Sequence, residues 1–132
     1  MFDIKEIPSP ITLHFITKYS FPEGISKAWA ELEHHIPVKS GVKFYGIFDG
    51  QQYFAGSDYP SSFSISKESL HEYVIPAGNY ITVPIINWQD KKEQIAVTFQ
   101  RIEEDPRCDK TSADIEFYKS HIELICLKRL RF

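Results

Sequence analysis

The residue of this 132-residue sequence best placed to do chemistry is Glu123. It lies inside His121–Leu127, an otherwise apolar run. Alternation along a strand would put it on the face of Ile125 and Leu127. A carboxylate there is costly unless it is paired, hydrogen-bonded or protonated. In a low-dielectric pocket it would attract a cation, or hold a raised pKa and donate a proton. The plainer reading is an edge-strand carboxylate turned to water. Four aromatic residues, Tyr53, Tyr45, Trp88 and Tyr118, are the candidate walls of such a pocket. Their rings suit a cationic aromatic ligand through cation–π contact, and the plainer reading of each is sheet packing or a helix-start staple. Glu116 shares a strand face with Tyr118 and is expected to face solvent or a turn. Trp29 is expected in the core.

Other chemistries find little support. There is no G-x-S-x-G, no phosphate-cradling glycine loop and no Cys/His pairing pattern. Five His and two Cys form no metal-ligand spacing, and neither a metal nor a cofactor is expected. Adjacent His34 and His35 would point about 100° apart on a helix. Cys108, in a polar loop, and Cys126, in an apolar run, are expected as free thiols in a reducing compartment.

The elements that must position these residues occur twice. Sliding the sequence by 70 residues sets Ile11–Ile16 on Ile81–Ile86, Ile25 on Ile95, Trp29 on Phe99, Ile47 on Phe117 and Phe54 on Leu124. The hydrophobic period changes in step within both copies. A β-rich stretch opens each, although Pro84 suggests an edge or bulge in the second. A helix follows, its stripe formed by Ile25, Ala28, Trp29, Leu32 and Ile36 in the first copy. Ile95, Phe99 and Ile102 form the stripe of the second, with Asn87 as a candidate cap. Hairpins close both copies, the first turning at Asp49-Gly50 and the second near Lys119-Ser120. One more strand is expected within Ser61–Tyr73. Under the 70-residue register Glu123 falls on Tyr53, which would set a phenol opposite the acid. The fold class predicted is α+β, with duplicated β-α-β-β modules related by a pseudo-twofold, a mostly antiparallel sheet and two main helices. The first repeat spans about 8–60, a linker strand 61–77, and the second repeat about 78–132, all within one domain. A seam between such halves is a common place for a concave site.

Composition fits this reading. Hydrophobic residues make up 42% and charged residues 25%, which suits one globular domain. A net charge of -3 with no block of like charges argues against direct nucleic-acid binding. The one basic group, Lys128, Arg129 and Arg131, reads as a solvated strand end. No signal peptide or long apolar run is present, so a cytoplasmic chain without a membrane span is expected.

Val74–Tyr80, Ile115–Tyr118 and Glu123–Lys128 together resemble the GyrI-like small-molecule-binding domain, the effector-binding domain of AraC- and MerR-type regulators. That family shows an I-P-A-G-x-Y/F turn, an E-x-Y strand and a final E-I-Y-I-P-I strand. Leu127 stands where the family often has Pro, and Asn87-Trp88 where it has Gly. The resemblance spans about residues 10–130. It implies a pocket between two SHS2-like modules for hydrophobic, often aromatic or cationic compounds, with Glu123 as the acid by motif position. The predicted function is therefore a small-molecule sensor or sequestering protein without its own DNA-binding segment, acting as monomer or dimer, with a regulatory protein partner allowed. Two alternatives stand beside it. One is hydrolysis of a strained electrophile with Glu123 as acid or base, and the other is a protein-interaction module resembling a gyrase inhibitor.

Overall fold

The computed structural model describes residues 2–37 and 41–132. Nine strands appear among them: Asp3–Ile7 (β1), Ile11–Phe15 (β2), Tyr19–Ser20 (β3), Phe44–Phe48 (β4), Gln52–Ser57 (β5), His71–Ile75 (β6), Gly78–Ile86 (β7), Asp114–Tyr118 (β8) and Glu123–Arg129 (β9). Two helices join them, Ile25–His35 (α1) and Glu93–Glu103 (α2). The fold is thus α+β, with every strand pair antiparallel.

The strand order is β1-β7-β9-β8-β4-β5-β2-β6, with β3 alongside β5. Read from the centre outward it is symmetric: β8 answers β4, β9 answers β5, β7 answers β2, and β1 answers β6. At the middle Gly46 pairs with Glu116, and these two residues are 70 apart, so the pseudo-twofold passes through their pair. The outermost strands are exchanged. β1 runs directly into β2 yet pairs with β7, while β6 runs directly into β7 yet pairs with β2.

Both faces of this sheet are covered. On one, α1 packs Ala28 and Leu32 against the side chains of Tyr53 and Ala55. On the same face α2 packs Phe99 and Ile102 against Leu124 and Cys126. Those stripes are why the two segments are helices at all: helices of this length draw most of their stability from packing one apolar face. The opposite face closes over its own core. Leu13, Ile47, Phe54, Ile75, Tyr80 and Ile115 meet there, from strands across the sheet.

Several expectations are corrected. The second hairpin is one residue longer than the first: Phe48 lies opposite Tyr53, but Tyr118 lies opposite Leu124. The counterpart of Tyr53 is therefore Leu124, and Glu123 does not answer the phenol. The strand expected within Ser61–Tyr73 is confined to β6, behind short 3-10 turns at Pro60–Ser62 and Lys67–Ser69. Asn87 adopts φ 58° and leads into a 3-10 turn at Trp88–Asp90, so it does not cap α2. Asn tolerates that left-handed conformation better than most residues. β1, which composition leaves polar and exposed, was not expected as a strand.

Lys128 is the largest departure. It is not a solvated end: its side chain is 3% exposed, with Nζ 2.6 Å from Asp114 and 3.4 Å from Glu103. It also donates to the Ser112 carbonyl at 2.9 Å. Cys108 is buried despite its polar neighbours, and both cysteines are free thiols. Pro84 stands in the part of β7 beyond the end of β1, where only β9 pairs with the strand, in line with the expected edge position. Among the described residues no helix is long and apolar enough to cross a membrane, and no group of His, Cys, Asp or Glu is placed to hold a metal ion.

Candidate functional site

Where the two halves meet on the helix-bearing face, the central pair Gly46 and Glu116 sets a carboxylate beside a residue with no side chain. The vacancy over Gly46 is used. A Cβ there would overlap the Tyr53 hydroxyl and Glu116 Oε1. Glycine inside a strand often marks such a close approach. Gly46→Ala should push Tyr53 and Glu116 apart. The expected cost is about 1–3 kcal/mol, typical of overpacking, read in a urea melt. An unchanged melt together with unchanged tryptophan emission would show the contact to be dispensable.

Glu116 Oε1 accepts two phenols. Tyr53 donates to it at 2.7 Å, and so does Tyr118 at 2.7 Å. Trp29 in turn donates its indole N–H to the Tyr53 hydroxyl at 2.8 Å. The chain of donors thus runs from α1 through β5 to β8. No bond among the described residues involves Oε2. Glu116 itself is half-buried. Burial pushes the Glu116 carboxyl above its ordinary pKa, against the opposing pull of both phenols. Tyr53 and Tyr118 are held well above the usual phenol value, first by burial and then by the Glu116 charge. Both phenols therefore stay protonated and serve as donors.

Two indoles complete the cluster, one from each half. Trp29 of α1 meets the Tyr118 ring edge-on at a centroid distance of 4.6 Å, and Trp88 does so at 5.0 Å. Trp88 is held by its N–H to the Ser120 carbonyl at 3.1 Å. These are edge-to-face contacts of the kind aromatic pairs prefer. The arrangement offers one half-buried negative charge, one unpartnered oxygen, two phenols bonded to the acid and two indoles packed on one of them.

Of the residues singled out from sequence, Tyr53, Tyr118 and Trp88 converge here. Tyr45 and Glu123 do not. Tyr45 lies on the other face, stacked on Phe117 at 4.9 Å within the closed core. Glu123 shares that other face with Ile125 and Leu127, as alternation predicted. It sits at the start of β9 with Oε1 3.6 Å from Lys119 Nζ. Two participants were not foreseen. Trp29 is half-buried at the rim of its cluster instead of central to the core, and Glu116 faces inward instead of to solvent. The E-x-Y spacing was the available signal, since it puts Glu116 and Tyr118 on one face.

No family model matches the sequence, and no curated protein matches it either. Solved structures do. An integron cassette protein from the mobile metagenome of Vibrio cholerae, VCH_CASS2, superposes with a TM-score of 0.75 at 17% identity, covering 98% of this chain and 95% of that one. A putative bacterial transcription regulation protein from Staphylococcus aureus MU50 gives 0.64 at 12% identity, over 100% and 99% of the two chains. SAV2435, solved bound to tetraphenylphosphonium, gives 0.61 at 12% identity, over 99% and 94%. The shared feature at these identities is the fold.

Proposed function

We propose that this chain binds a small aromatic cation at Glu116, in the seam between its halves, as a sensor or sequestering protein. The observation that carries the reading is the unpartnered Oε2 of a half-buried carboxylate that accepts Tyr53 and Tyr118, with Trp29 and Trp88 packed on the Tyr118 ring. A delocalised cation gains there from the charge and from ring faces, and loses little hydration on entering. The structural neighbour bound to an organic cation supports it. The acid of the reading is Glu116, not the Glu123 suggested by motif position: Glu123 stands on the other sheet face, beside Lys119.

Trp29 and Trp88 are the only tryptophans in the sequence. Intrinsic emission therefore reports on this cluster alone, and a ligand that parts the indoles from Tyr118 must change it. The test is a titration with tetraphenylphosphonium followed by that emission between pH 4 and 8. Because the folded carboxyl titrates above its ordinary value, affinity should rise with pH through a midpoint above about 4.3, and fall away below it. The same shift means that deprotonating Glu116 costs folding stability as pH rises through the raised value, a cost that a bound cation offsets. An affinity flat across this range, or no emission change, would refute the reading. The second reading, hydrolysis of a strained electrophile, draws on the same raised carboxyl, which suits proton transfer. Recovery of such a compound unaltered after incubation would count against it.

A further inference from the structure

A different cavity lies on the other side of the molecule, at one end of the closed sheet face. Its volume is about 380 Å³, near the lower end for small-molecule sites. Tyr73, Tyr80 and Ile115 supply apolar wall, and Asp49, Asp109 and Arg129 supply charge. Neither Glu116 nor either tryptophan borders it.

The charges are incompletely used. Asp49 is occupied: one oxygen accepts the Gln51 and Gln52 amides, and the other meets Lys18 at 3.3 Å. Asp109 accepts Thr111 N–H and Oγ1–H on Oδ1 alone, leaving Oδ2 without a partner among the described residues. Arg129 gives one N–H to the Ala77 carbonyl at 3.2 Å and makes no ion pair among them. Yet these two residues are backbone neighbours, since Asp109 N donates to Arg129 O at 2.8 Å. Both residues line this cavity without forming an ion pair with each other among the described residues. The Tyr73 hydroxyl also has no hydrogen-bond partner among the described residues, and burial raises its pKa, so it stays a donor.

We infer that this cavity is a second ligand site, for a small zwitterion with an apolar tail, of the class of apolar α-amino acids. The carboxylate would take the free donors of Arg129, the ammonium would take Asp109 Oδ2, and the tail would lie against Tyr73, Tyr80 and Ile115. The balance of charge selects the class. A plain anion meets Asp109, a plain cation meets Arg129, and only a molecule carrying both signs satisfies both.

The test uses L-phenylalanine as probe, followed by amide ¹H–¹⁵N spectra of the full chain. Shifts should appear at Tyr73, Thr111 and Arg129 and saturate in the millimolar range. Phenethylamine and 3-phenylpropionate, each lacking one charge, should bind at least tenfold more weakly. Arg129→Gln and Asp109→Asn should each weaken L-phenylalanine at least tenfold. Asn keeps the Oδ1 bonds to Thr111, and Arg129→Gln serves as the independent variant if that loop is disturbed. Tetraphenylphosphonium binding should be unmoved in both variants, which separates this site from the Glu116 site. The proposal is overturned if L-phenylalanine causes no saturable shift at these residues, or if either singly charged analogue binds as well.

Discussion

Glu116→Gln should weaken tetraphenylphosphonium binding about thirtyfold while the protein stays folded. The magnitude follows from the charge. A unit charge about 4 Å from a carboxylate at a partly screened site gains about 4 kcal/mol of Coulomb energy. Desolvation offsets part of that, and a net 2 kcal/mol corresponds to about thirtyfold. Gln keeps an oxygen to accept the Tyr53 and Tyr118 hydroxyls, so the donor chain from Trp29 can persist. Its neutrality also removes the cost of ionising a group whose pKa burial has raised. Stability near neutral pH should hold or rise. Glu123→Gln is the matched control and should change affinity less than twofold. The reverse pattern, loss in Glu123→Gln and none in Glu116→Gln, would return the acid to β9.

The largest stability effect is expected at Asp114→Ala, a loss of about 3 kcal/mol in urea denaturation. Removing one member of a buried ion pair strands the other, and such losses run to about 3–5 kcal/mol. Glu103 is 45% exposed and stays 3.4 Å from Lys128, which holds the expectation to the lower end. The partners respond differently to their setting. At Asp114, burial outweighs the pull of the Lys128 ammonium, and the carboxyl titrates above its usual value. At Lys128, burial works toward neutrality, but the Asp114 bond and the charges of Asp114 and Glu103 outweigh it and raise the pKa. Lys128→Met should therefore be milder than Asp114→Ala, because Asp114 can take a proton once its partner is gone. A loss under 1 kcal/mol in Asp114→Ala would mean that Glu103 and the Ser112 carbonyl suffice for Lys128.

Much of this architecture was legible because it is written in period. Both helices were visible as stripes at spacings of three and four. The central hairpins were visible in alternation, and the duplication in their common order. What was hidden depends on contacts between distant segments. Alternation separates Glu116 and Tyr118 from Ile115 and Phe117, but both faces of this sheet are apolar and covered. Period alone could not say which face the helices would take, and so left Tyr45 and Tyr53 looking equivalent. The extra residue in the second hairpin broke the 70-residue register just before Glu123, which is why the phenol was set opposite the wrong residue. Lys128 was masked by Arg129 and Arg131. Its partners Glu103 and Asp114 lie on other elements, so nothing near it in sequence told of its burial. β1 carries mostly polar side chains and is a strand because β7 needs a neighbour.

The exchanged outer strands have a consequence for descent. Neither half owns a complete sheet: each lends its first strand to the other. A single copy of such a unit could fill its edge only by trading that strand with a twin, as a homodimer with β4 running against its own image on the axis. In that dimer the axial pair would be two glycines or two carboxylates. Two glycines carry no charge to offer, and two acids side by side repel. Joining the copies into one chain makes the trade internal and frees the axial positions to differ. Gly46 and Glu116 are that difference, and an acid standing alone on a symmetry axis is something only a fused pair can possess.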